Sequence, residues 1–189
     1  MGRDYAVLTI IQLLMKGFTL VESLVVVTII LVLLAIVLVN YRVGERNLSL
    51  DESAAILGQN LRRAEEMAMS AKEFHGIIPQ GGYGINLKTE DDFYIIFADC
   101  DKNHEYSLGN TCSGFPEKVE QVALGKRSRI ASLFSGSYLS AINIVFIPPN
   151  PSIMISGTGT EAIIKLSLKE DVGAIRTVRV NKAGLIEAF

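Results

Sequence analysis

The hydrophobic pattern of this chain changes character twice. From Leu20 to Val39 almost every position is apolar, Leu24 to Val39 carries no charge, and a single carboxylate, Glu22, sits near the start. A helix of about 20 residues rises about 30 Å, the thickness of a bilayer's hydrocarbon core. In lipid a lone segment satisfies its backbone only as a helix, so the β-branched residues here do not argue for a strand. Beyond Tyr41 the pattern becomes periodic. Leu50, Ala54, Leu57, Leu61, Ala64, Ala68 and Ala71 recur at alternating spacings of four and three, with Asp51, Glu52, Gln59, Arg62, Arg63, Glu65, Glu66 and Lys72 between them. That is an apolar stripe on one helical face. No proline falls between Phe18 and Ile78. The expectation is one long helix, membrane-spanning over 18–40 and amphipathic over 41–75, ending near Gly76, with Gly44 and Gly58 as soft points.

The second change is to period two. Short runs rich in β-branched and aromatic residues follow: "YGINL", "FYIIFADC", "VEQVAL", "AINIVFI", "SIMIS", "AIIKLSL", "IRTVRVN" and "LIEAF". Gly81-Gly82, "PPNP" at 148–151, "GTGT" at 157–160 and Asn181 to Gly184 punctuate them as turns. Such spacing without helical interludes predicts an antiparallel sheet or small sandwich over 76–189. The small alanines of the stripe require a partner that packs closely, and this sheet supplies it. The fold class expected is α+β, a long N-terminal helix packed on a C-terminal antiparallel β-rich domain.

Length and composition fit that division. At 189 residues the chain has room for one modest domain and an appendage. Its 49% hydrophobic content is high for a soluble domain, and the excess lies between Leu20 and Val39. A net charge of −2 gives no overall attraction to nucleic acid or anionic lipid. Arg3 and Lys16 precede the span and Arg42 and Arg46 follow it, so positive charge alone does not orient it. A cleaved secretory signal fits poorly, because the apolar run is long and no A-x-A-like site follows. The two cysteines, Cys100 and Cys112, flank the polar loop "CDKNHEYSLGNTC". Their spacing does not suggest metal ligation. A disulfide would stabilise the domain by about 3 kcal/mol and place it outside the cytoplasm; two unrelated thiols are the alternative.

The segment "KGFTLVESLVVVTIIL" resembles the prepilin signature of type IV pilins and type II secretion pseudopilins. In that family a leader ends in a basic residue and glycine, prepilin peptidase cuts after the glycine, and the new terminal residue is N-methylated. The resemblance assigns those roles to Lys16, Gly17 and Phe18, with 1–17 as the leader. It makes Glu22 the intramembrane acid that pairs with a neighbouring subunit's N-terminal amine. An acid in a span needs such a partner. The leader itself departs from the pattern, since "AVLTIIQLLM" is more apolar than the usual short basic leader. Within the family, "LGQNLRRAEEMAMSAK" and "RTVRVNKAGLIE" look like the H-type (GspH/FimT-like) minor pseudopilins. The resemblance implies a filament subunit that supports assembly and protein secretion, without catalytic function. It would be a single-pass protein of the inner membrane with its C-terminal domain extracytoplasmic. Other pilin subunits, the prepilin peptidase and the inner-membrane assembly platform would be its partners.

Other constellations carry less. Asp99, Asp101, Asn103 and Glu105 alternate as calcium ligands do, but an EF-hand loop wants Gly where His104 stands and Glu where Asn110 stands, so a disulfide-stapled polar loop is preferred. Lys126, Arg127, Arg129, Arg176, Arg179 and Lys182 form a candidate basic face. Because the FimT-like group is associated with DNA uptake, DNA binding is the alternative function, although Glu161, Glu170, Asp171 and Glu187 dilute the cluster. His75 and His104 have no nucleophile in a recognisable motif beside them.

Overall fold

The computed structural model describes residues 19–109, 111–149 and 152–189. Lys16, Gly17 and Phe18 lie outside the described residues. The chain divides into two compact units, residues 1–44 and 45–189. Helix α1, Leu20–Met69, contributes to both.

In the first unit, Leu20–Val37 has a mean hydropathy of 3.0 and none of it is buried. Its large side chains are 45% to 82% exposed, so none is shielded among the described residues. The segment is long and apolar enough to cross a membrane. Thr28, the polar residue beyond Glu22 and Ser23 in this segment, turns its hydroxyl back onto the Leu24 carbonyl at 2.8 Å.

In the second unit α1 buries the predicted stripe. Leu50, Ala54, Leu57, Leu61, Ala64 and Ala68 are at most 3% exposed, and Met67 joins them. The helix stops at Met69, short of residue 75, which leaves Ala71 exposed and outside the stripe. The cause is a C-terminal cap that the sequence did not advertise. Lys72 N–H donates to the Met67 carbonyl and Ala71 N–H to the Ala68 carbonyl, both at 3.1 Å, a Schellman pattern. The pattern needs a left-handed residue, and Ala71 supplies it at φ 48° in place of the usual glycine.

The strands form two antiparallel five-stranded sheets and a two-stranded ribbon. In chain order they are β1 (Gly82–Lys88), β2 (Phe93–Asp99), β3 (Thr111–Cys112), β4 (Phe115–Pro116), β5 (Lys118–Ala123), β6 (Ser128–Phe134), β7 (Tyr138–Leu139), β8 (Ala141–Ile147), β9 (Ser152–Ile155), β10 (Glu161–Leu168), β11 (Ile175–Asn181) and β12 (Ile186–Ala188). The first sheet runs β5-β2-β1-β8-β9 and the second β12-β11-β10-β6-β7; β3 and β4 are the ribbon. Every expected strand is present; the additions are the short β3, β4 and β7 and the seven-residue β6, which lies between β10 and the edge strand β7 in the second sheet.

One core joins α1 to both sheets. Tyr83, Ile85, Tyr94, Ile96, Ile144 and Phe146 come from the first, Ile130, Leu133, Ile164, Leu166, Val178 and Val180 from the second. Polar contacts pin the helix at both sides. Asn60 Nδ2 donates to Tyr94 Oη at 2.6 Å, and Arg62 donates to the Ile186 carbonyl at 3.0 Å. Ser53, buried against β6, hydrogen-bonds Ser128 at 3.1 Å and accepts from Gly125 N–H.

The first sheet is covered on its other face too. Alternation puts Asn86, Phe97, Asp99 and Asn143 there, and the loop between Cys100 and Cys112 folds over them. Tyr106 N–H donates to Asn143 Oδ1 and its ring meets Phe97, with centroids 5.6 Å apart. Gly84 is required under Phe97, because a Cβ would lie 2.8 Å from that ring and 2.9 Å from the Ile144 carbonyl oxygen.

Candidate functional site

Two regions merit construction from their residues: the start of α1 and the disulfide loop. At the first, Thr19 caps the helix. Its Oγ1 accepts from Glu22 N–H at 3.2 Å, and its carbonyl accepts from Ser23 N–H at 3.1 Å. Thr19-x-x-Glu22 is the capping-box pattern, and the carboxylate stands in the first turn, where the helix dipole favours negative charge. Glu22 is exposed at this end. The residue therefore has a local helix-starting role besides any intermolecular one. The signal was readable as T-x-x-E but is hidden inside the apolar run.

At the second region Cys100 and Cys112 are joined in a disulfide with Cα atoms 5.5 Å apart. Cys112 is fully buried, with its Sγ 3.5 Å from the Ala98 carbonyl oxygen of β2. The loop it closes is ordered by its own polar groups. Asp101 accepts from Asn103 N–H at 3.2 Å and from Asn103 Nδ2 at 2.9 Å, and Asn103 Oδ1 accepts from Glu105 N–H at 2.7 Å. Asp99, at the end of β2, is fully buried and its Oδ2 accepts from His104 N–H at 3.0 Å, with His104 Nδ1 also at 3.0 Å. Glu117, preceding β5, is fully buried as well, and its Oε1 accepts from Cys100 N–H at 3.2 Å. Sequence reading missed Glu117, because it lies across the disulfide from the alternating acids. Burial raises the Asp99 carboxyl above the ordinary carboxylate range against the opposing effect of the His104 contacts, and the nearby Asp101 carboxyl pushes the same way as burial.

The basic candidates do not gather. Arg129 on β6 pairs with Glu90, Arg176 on β11 with Asp51 of α1, and Arg179 with Glu161 at 3.5 Å. Arg176 and Arg179 are three apart on one strand, so alternation sends them to opposite faces of the sheet. Arg179 lies over the Phe189 ring, 5.6 Å from its centroid. Lys126 and Arg127 sit at the β5–β6 turn beside Glu45, Ser49 and Glu52. Lys182, at the β11–β12 turn, shares its cleft with Glu161. Of the histidines, His75 stacks on Phe115 at 4.2 Å and His104 serves Asp99.

In comparisons with known proteins, no family model, no curated protein and no solved structure matches this chain. The functional reading thus rests on the residues and their arrangement.

Proposed function

We propose that the chain is a minor pilin-like subunit that enters a helical filament of a type II secretion or type IV pilus machine through its N-terminal helix. The observation that carries this reading is the first part of α1, Leu20–Val37, strongly apolar at a mean hydropathy of 3.0 and with none of it buried, which follows Lys16-Gly17-Phe18 and carries Glu22 in its first turn. Exposed apolar surface on this scale calls for lipid or protein to cover it. A subunit held in the membrane before assembly and in a filament core afterwards would meet both in turn. The β-rich unit, closed by a disulfide, suits an oxidising compartment outside the cytoplasm. The scattered, acid-paired cations favour no DNA-binding reading.

Glu22 provides the test. If its charge pairs with a neighbour's N-terminal ammonium, Glu22→Ala and Glu22→Gln will both reach the membrane at normal level, and both will incorporate poorly into sheared, isolated filaments. Glutamine also completes a capping box. A Glu22→Gln subunit that incorporates like the parent would reduce this residue to a helix cap and remove its assembly role.

A further inference from the structure

Where the disulfide loop covers the first sheet it leaves a cleft of about 240 Å³ beside Tyr106. We propose that this cleft binds an acidic peptide segment, lodging one aromatic or branched apolar side chain between sheet and loop and holding the flanking carboxylates on Lys88 and Lys118.

The floor of the cleft is the outer face of three strands. Alternation along β2 turns Phe93 and Ile95 the same way as Phe97, and Ile95 stands between Asn86 of β1 and Gln121 of β5. Phe93 and Ile95 are only half-buried, although Tyr94 and Ile96 on the other face are sealed in the core. Tyr106 and Leu108 of the loop form the wall. Tyr106 is fixed there by its N–H, which donates to Asn143 Oδ1, and by its ring against Phe97. Asn86 is 5% exposed and is fixed by its Nδ2, which donates to the same Asn143 oxygen at 2.7 Å. The cleft is therefore held open by the fold itself. Leu108, at its mouth, is 90% exposed, and an apolar side chain lodged beside it would cover part of that surface.

The rim sets the charge of the occupant. Lys118 opens β5 opposite Phe97, and Lys88 ends β1 at the Phe93 end of β2. Four residues of strand separate those ends, about 13 Å, so the two ammonium groups flank the apolar floor. Neither lysine has a carboxylate partner among the described residues, whereas Arg129, Arg176 and Arg179 do. Asp91, at the Lys88 end, is the acid in the lining, so cations outnumber acids by two to one. Rim charges select partners more than they bind them, so the apolar side chain supplies affinity and the lysines supply the preference for acids. Size decides between a peptide and a free ligand. Pockets that enclose whole small molecules measure about 300–1,000 Å³, and this smaller one suits a single side chain of a longer molecule. The cleft also reaches an edge strand: β5 pairs with β2 alone among the described strands, which leaves room for an extended segment to pass alongside. The inference is independent of the filament reading.

The chain contains no tryptophan, so a tryptophan probe reports its own burial. The full chain in phosphatidylcholine vesicles would be titrated with the peptide acetyl-Glu-Trp-Glu-amide, with protein-free vesicles as the blank. A saturable blue shift of the indole emission is expected, half-maximal below about 1 mM. Acetyl-Lys-Trp-Lys-amide should bind about tenfold more weakly or worse, because like charges would meet at the rim. Lys118 and Leu108 are both exposed, so Lys118→Glu and Leu108→Ser will fold as the parent does, which thermal melting checks. Lys118→Glu should weaken the acidic peptide about tenfold and narrow its advantage over the basic one. Leu108→Ser should weaken both peptides about threefold or more. No saturable shift up to about 5 mM, equal affinity for the two peptides, or parental affinity in both variants would overturn the site. Indole-3-acetate binding as tightly as the acidic peptide would overturn its assignment to a peptide.

Discussion

Ala71 holds a conformation that costs an alanine about 1 kcal/mol or more and a glycine almost nothing. Ala71→Gly should therefore raise the stability of the second unit by about 1 kcal/mol, read as a midpoint shift in denaturant melts with unchanged slope. Gly84→Ala should do the opposite. Its Cβ would press on the Phe97 ring and the Ile144 carbonyl oxygen, and overpacking of this kind costs about 1–3 kcal/mol. Two tyrosines report on the same core. Burial pushes Tyr83 and Tyr94 up to about 12 from 10.0. A phenol whose folded value is raised leaves stability intact below pH 10 and erodes it as pH climbs toward 12. Tyrosinate absorbance should accordingly show Tyr94→Phe removing a component that ionises only as the domain loosens. At this scale the sequence was legible where side chains pattern and silent where backbone decides. The stripe from Leu50 to Ala68 was readable, but nothing marks Ala71 as a helix end. The Thr19 cap went unread, because its T-x-x-E spacing to Glu22 lies inside the apolar run.

Elements were legible where the pleat is regular. The runs beginning at Tyr83, Phe93, Ala141 and Ile175 became strands with nearly the expected bounds. β6 escaped because its register breaks. Ile130 faces Leu166 and Ser132 faces Lys165, so Ala131 is an extra, bulged residue, and the buried Ile130 and Leu133 stand three apart instead of two. Its preceding "GKRSR" reads as a charged turn, although Ser128 is buried against Ser53. The disulfide loop belongs to this scale as well. Spacing suggested the Cys100–Cys112 bond, but the role of the loop as a cover for the first sheet required the three-dimensional pairing of Tyr106 with Asn143 and Phe97. Replacing both cysteines with serine should cost about 3 kcal/mol in the chain-entropy account. The loss should appear in the melting of the second unit and leave membrane insertion untouched, because the apolar segment lies in the other unit.

The whole molecule combines an apolar helix start that is unburied among the described residues with a β-rich unit that has its own core. The cleft beside the disulfide loop was not legible, since its floor and wall meet through folding and not through spacing. The proposed filament role rests on a short stretch, Lys16 to Glu22, which also contains the most direct test. The full chain would be co-expressed with a prepilin peptidase and its membrane-extracted mass measured intact. The account predicts conversion to a methylated chain beginning at Phe18, with Gly17→Val blocking that conversion. A chain that keeps residues 1–17 beside a peptidase active on a control prepilin would contradict it.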